Sequence, residues 1–169
     1  LNHENALLIN SDIIPLANGK SRQIIFPNNQ IDLTLRFRDA INEIEKEQQD
    51  SIFLIDQWCA DYEDKIRAFG GIGFFLGGIG PDGHIAFNVR GSDHNSTTRL
   101  TTTNFETQAA AATDLGGIEI SRNRLVITIG LGTITYNPDA VGIIIAAGEA
   151  KSEIIKESLE HSPDIKYPA

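Results

Sequence analysis

Apolar positions along this chain follow two periods, and the switch between them marks out the elements. The first 30 residues are weakly patterned, with turn signals at Pro15, Asn18-Gly19 and Pro27-Asn-Asn. Between them, Gln23-Ile-Ile-Phe26 reads as a short strand. Ile31, Leu33, Leu35 and Phe37 then alternate with Asp32, Thr34 and Arg36, the pattern of a half-buried strand. Glu43 to Gln49 is charged and reads as a solvated helix end or a loop. Asp50-Ser51 follows as a helix cap. Beyond it Ile52, Ile55, Cys59, Tyr62, Ile66 and Phe69 recur at three and four residues, which predicts one buried helix face. Gly70-Gly71 ends that helix. Cys59 lies in the stripe and reads as core, not as a nucleophile.

Ile72-Gly-Phe-Phe-Leu76 is a short apolar run leading straight into glycines. Leu125-Val-Ile-Thr-Ile129 and Ala140 to Ala147 repeat the theme and end at Gly130 and Gly148. Glu106 to Ala112 and Glu149 to Leu159 read as helices, the second stopped by His161-Ser-Pro163. Asp164 to Ala169 reads as an exposed tail or a lead into a further segment. Helix, buried strand and glycine loop in alternation is the rhythm of an α/β protein with a mainly parallel sheet. No internal repeat or linker divides the chain, so residues 1–169 read as one domain.

Composition narrows the function classes. Of 169 residues, 41% are hydrophobic and 22% charged, which excludes a wholly disordered chain. The net charge of -9 repels phosphate backbones and argues against nucleic-acid binding. No apolar run is long enough to span a membrane. The lone Cys59 cannot form an internal disulfide, which fits a reducing, cytoplasmic setting. The chain begins at Leu1 and contains no Met, so it reads as a fragment of a longer protein.

In open parallel sheets, ligands sit beyond the carboxyl ends of the strands. Three segments lie at such ends: Gly77-Gly-Ile-Gly-Pro-Asp-Gly-His84, Gly130-Leu-Gly-Thr133 and Gly148-Glu-Ala-Lys151. Glycines there, Gly78 and Gly80 among them, let backbone N–H groups approach a ligand. Gly78 to Gly83 fits G-x-G-x-x-G by spacing, yet Pro81 and the polar stretch that follows suggest no helix. A carboxylate near an imidazole fixes its tautomer and raises its basicity, which singles out Asp82 and His84. Lys151 falls in a helix's first turn, where a cation opposes the dipole. It is either a surface lysine or a phosphate ligand. The stretch from Arg90 through Ser92 to Arg99 is rich in hydroxyls with two arginines, suited to an anion or simply polar surface. His94 within it reads as solvated. No Cys/His cluster has metal spacing, so no metal is expected.

Leu76-Gly-Gly-Ile-Gly-Pro-Asp-Gly-His-Ile-Ala-Phe-Asn88 resembles the signature of glucosamine-6-phosphate deaminases, also called isomerases. Ser92 to Arg99, Ile127 to Thr133 and Gly148 to Lys151 are similar to that family in the same order, so the resemblance runs from about Tyr62 to Leu159. It implies a Rossmann-like three-layer α/β/α fold and an enzyme turning glucosamine 6-phosphate into fructose 6-phosphate and ammonia without a cofactor. It implies that His84 moves the ring-opening proton with Asp82 as its carboxylate partner, and that Lys151 binds the substrate phosphate. Arg99, with Ser92, matches the activator-phosphate site of the allosteric members, which are homo-oligomers. The chain departs from the family at Val89, where a Glu is usual, and at Thr113, where an arginine is expected. It also lacks the family's Gly-Gly-Thr-Pro loop and the Asp-Glu-Tyr segment whose aspartate takes the C2 proton; Asp61-Tyr62-Glu63 lies inside the expected helix. Both motifs normally precede the matched region, so the fragment reads as lacking its N-terminal part. The partner class is a small sugar phosphate. Two other readings stand beside this one: a non-catalytic sugar-phosphate-binding regulatory module, and a hydrolase like the related 6-phosphogluconolactonases.

Overall fold

The structure is a computed structural model that describes residues 6–118 and 125–168. Its longest element is a helix, α2, over Glu43–Ala68. A single turn of helix, α1, precedes it at Arg22–Ile25. Strand β1 spans Phe74–Gly78, β2 Arg99–Thr102, β3 Leu125–Thr128 and β4 Val141–Ile145. Helix α3 covers Phe105–Leu115, α4 Leu131–Ile134 and α5 Ser152–Glu160. Gly116 closes α3 in the left-handed conformation, the role glycine fills best at a helix end.

The N-terminal third differs from the sequence reading. Residues 23–26 are not a strand: Gln23 to Ile25 lie in α1 and Phe26 is its C-cap, the Ile25 N–H bonds Ser21 O, and Ile25 and Phe26 are buried. Residues 31–37 are not a strand either. The Asp32 carboxylate accepts from the Thr34 N–H and hydroxyl, and the chain turns into a 3₁₀ helix at Leu33–Arg36. This local side-chain bond competes with extended backbone. Leu35 is buried while Phe37 is exposed, so the alternation marks a turn with one anchored residue.

The charged stretch before residue 50 is the start of α2. Asn42 caps it by accepting from the Glu45 N–H, in place of the expected Asp50-Ser51. Ser51 instead lies inside the helix, buried, and its hydroxyl accepts the Ala17 N–H. Gln48 and Gln49 in the same stretch donate to the carbonyls of Ile25, Leu35 and Arg38. Their amides satisfy irregular backbone that has no sheet partner. The expected stripe is buried at Ile52, Ile55, Cys59 and Tyr62, but Phe69 at the helix end is exposed.

Strands β1 and β4 pair in parallel, and β2 and β3 pair antiparallel in a separate two-stranded sheet. The strand after residue 125 therefore does not join the glycine-loop strands in one parallel sheet. Both members of the parallel pair were expected to be buried strands. Instead Phe74, Leu76, Val141, Ile143 and Ile145 are exposed on one face. The core lies elsewhere: Ile14, Ile25, Phe26, Leu35, Ile52, Ile55, Cys59 and Leu100 bring together the N-terminal segment, α2 and β2. Among the described residues, no helix is long and apolar enough to cross a membrane.

Candidate functional site

The carboxyl ends of β1 and β4 lie side by side, Gly78 opposite Ile145. The chain leaving β1 turns at Gly80-Pro81-Asp82-Gly83, with the Gly83 N–H bonded to Gly80 O at 3.2 Å and Gly83 at φ 85°. No helix follows, so the G-x-G-x-x-G spacing is incidental. The turn sets Asp82 and His84 beside each other, with Nδ1 of His84 2.5 Å from Oδ1 of Asp82. An ionised carboxylate only accepts, so Nδ1 carries the proton and donates it. Gly80 makes room for the ring, since a methyl group there would fall inside the imidazole. The His84 ring also stacks against Phe87, centroids 6.1 Å apart.

Asp82 is buried and fully engaged. Its second oxygen accepts from Asn104 Nδ2 at 2.6 Å and the Arg90 N–H at 3.2 Å. Burial alone would raise its pKa, but the hydrogen bonds from His84, Arg90 and Asn104 outweigh it and hold the carboxyl well below the usual range. Asn104 is the N-cap of α3, its Oδ1 accepting the Thr107 N–H at 3.0 Å. The Thr107 hydroxyl lies 3.3 Å from His84 Nδ1. Sequence reasoning passed over both residues. Asn104 carried a signal, as an Asn before a helix-forming run.

Lys151 comes from the β4 side of the same edge, at the end of the short 3₁₀ turn Glu149–Lys151 that leads into α5. Its Nζ donates to Ile79 O at 2.7 Å, joining the two strand-end loops. An ammonium has three protons, so two remain for a ligand. Gly78 has open space, the nearest atom to an added Cβ being Ile145 O at 3.8 Å. The site thus gathers Gly78, Gly80, Asp82, His84 and Lys151.

The third glycine segment serves packing. Side chains at Gly130 or Gly132 would overlap the backbone of Asn95 and Ser96, and the Gly132 N–H bonds Ser96 O at 2.9 Å. Glu63 on α2 is the other residue missed. It is buried, and one carboxylate oxygen accepts from the Thr98 N–H at 2.8 Å and from the Thr98 and Thr133 hydroxyls, each at 2.5 Å. This bolts the loop before β2 to the start of α4.

Ser92 and Arg99 meet in a second place. Arg99 donates to Asn88 Oδ1 at 2.8 Å and to the Ser92 hydroxyl at 3.2 Å. They line an open cavity of about 640 Å³ with Val89, Arg90, Asn95 and Thr101. Burial and the nearby Arg36 make the charged form of Arg99 costlier than usual. Asn88 is buried and also donates to the carbonyls of Ile85 and Ile129. His94 is half-buried rather than solvated, and lines a separate cavity with Phe75, Ile144 and Tyr167. Burial lifts the Cys59 thiol to about 11, so it stays protonated and core, as its stripe indicated. The side chain of Thr113 lies outside the described residues. Among the described residues, no Cys, His, Asp and Glu cluster is able to hold a metal.

Known proteins are similar to this chain in sequence and fold. No family model matches the chain. It is 39% identical over 116 residues to a glucosamine-6-phosphate isomerase of Candida albicans, covering 68% of this chain and 46% of that protein. It is 40% identical over 106 residues to a glucosamine-6-phosphate deaminase of Borreliella afzelii, covering 63% and 39% respectively. A solved monomeric glucosamine-6-phosphate deaminase, described as a missing link of the NagB superfamily, superposes with a TM-score of 0.58 at 28% identity. That match covers 78% of this chain and 48% of the other. The chain therefore spans less than half the length of these relatives. Over the stretch they share, it is similar to glucosamine-6-phosphate deaminases and isomerases.

Proposed function

We propose that the protein carrying this chain converts glucosamine 6-phosphate and water into fructose 6-phosphate and ammonia. The observation that carries the reading is the Asp82–His84 pair standing on the same strand edge as Lys151. With Nδ1 bonded to Asp82, the other ring nitrogen of His84 takes the proton from the anomeric hydroxyl and returns it to the ring oxygen. An imidazole suits both halves of that transfer near neutral pH. Lys151 and the backbone at Gly78 hold the phosphate at the far end of the sugar; Gly80, expected beside them, instead donates its N–H to His84 O at 2.9 Å and is covered by the imidazole. Removal of the C2 proton is assigned to no residue of this chain. Ammonia release and fructose 6-phosphate formation from glucosamine 6-phosphate test the reading. His84→Asn should lower the rate on the order of 10²–10⁴-fold, the range for one general acid–base group. Binding of the sugar phosphate without turnover would leave a regulatory module instead.

Further assignments follow from the same reading. β1 and β4 belong to a Rossmann-like three-layer sheet, and the protein works in the cytoplasm. Ser92 and Arg99 hold a second anion where the protein assembles as a homo-oligomer. A monomer in light scattering, with rates indifferent to N-acetylglucosamine 6-phosphate, would remove that last assignment.

A further inference from the structure

We propose that Asn104 is a positioning residue for His84, acting through both groups that touch the Nδ1 of the imidazole. The inference rests on the ring-opening role given to His84 above. The groups at Nδ1 are Asp82 Oδ1 at 2.5 Å and Thr107 Oγ1 at 3.3 Å. They come from different elements, the loop after β1 and the first turn of α3. One side chain fixes both: Asn104 Nδ2 holds Asp82 Oδ2 at 2.6 Å, and Asn104 Oδ1 holds the Thr107 N–H at 3.0 Å. A carboxamide meets the two demands because one end donates and the other accepts. With the Arg90 N–H also on Oδ2, Asp82 presents Oδ1 to the ring. The imidazole is thereby kept with its proton on Nδ1 and its other nitrogen free to accept. Asp82 is the only carboxylate bonded to His84 among the described residues, so its orientation decides the tautomer.

Asn104 also caps α3, and the test must separate the two jobs. Asp and Ser cap a helix about as well as Asn. Aspartate, however, sets a second carboxylate against Asp82, and serine is too short to span the gap. Nitrogen-15 and proton spectra of the imidazole-labelled protein report the His84 tautomer and the downfield Nδ1 proton. Asn104→Asp and Asn104→Ser should each lose the downfield resonance and mix the tautomers, while helix content by circular dichroism stays at the wild-type level. If either folded variant keeps the wild-type tautomer and proton resonance, Asn104 is a cap only and the inference fails. This readout needs no substrate, so it stands apart from the deaminase reading. With glucosamine 6-phosphate, Asn104→Ser should lower kcat on the order of 10-fold to 100-fold with little change in KM, as for a misplaced reacting group. A wild-type protein that turns over no substrate would sink the deaminase reading and leave the spectroscopic result for Asn104 intact.

Discussion

Gly80 is a glycine because the imidazole of His84 occupies the place of its side chain. Gly80→Ala should therefore push the ring off Asp82, and turnover in the proposed deaminase reaction should fall on the order of 10²-fold, the effect of a misplacement near 1 Å. Normal turnover with an unchanged imidazole spectrum would refute it. Ala86 shows the opposite economy. It sits at φ 52°, in the turn closed by the Asn88 N–H on Ile85 O. A left-handed non-glycine residue costs roughly 1–2 kcal/mol, and glycine gives part of that back through its looser unfolded chain. Ala86→Gly should raise stability by about 0.5–1 kcal/mol in urea unfolding. Asp82 and Asp32 both titrate below their ordinary range, Asp32 at about 2 through the Thr34 hydroxyl and Arg38. A lowered folded-state pKa means that the unfolded chain binds more protons in that window. Stability is then fully present above about pH 4 and is lost as pH falls toward the folded values. Asp82→Asn should flatten the acid limb of a stability-versus-pH curve.

Among the elements, α2 was half legible. Its apolar stripe and its glycine stop were readable because period and breaker are local properties. Its true start at Asn42 was not, since the first two turns carry charge that repels the thought of burial. Their glutamines in fact serve carbonyls of distant segments. The segments around Ile25 and Leu35 looked like strands because single buried anchors mimic alternation when no neighbouring strand is visible. In the site, Asp82, His84 and Lys151 were readable from a glycine loop at a strand end. Asn104 and Glu63 were not, because their meaning comes from partners 22 and 35 residues away. Glu63 is the better test of this tertiary logic. Glu63→Ala would leave buried donors on Thr98 and Thr133 unmet, at about 1–3 kcal/mol each before relaxation. A total loss of roughly 2–4 kcal/mol is expected by denaturant titration. A loss below about 0.5 kcal/mol would show that water replaces the carboxylate.

At the scale of the whole molecule, the packed core and the chemical edge are different places. The core lies where the N-terminal segment, α2 and β2 close on one another. The parallel pair carries Asp82, His84 and Lys151 at its end, yet it presents one apolar face to water. Parallel sheets are normally covered on both faces, so this pair gains little from burial. Its position is held instead by polar ties. Asn88 joins the turn after His84 to the end of β3, and Lys151 joins the two strand-end loops. The energetic consequence is a contrast between two leucines. Leu35 is 0% exposed, and Leu35→Ala should cost about 2–5 kcal/mol, transfer and cavity terms together. Leu76 in β1 is 58% exposed, and Leu76→Ala should cost less than about 1 kcal/mol. Urea unfolding of the two variants decides it. Equal costs would mean that the face carrying Leu76, Ile143 and Ile145 is covered in solution, and that the strand edge bearing His84 belongs to a larger packed unit.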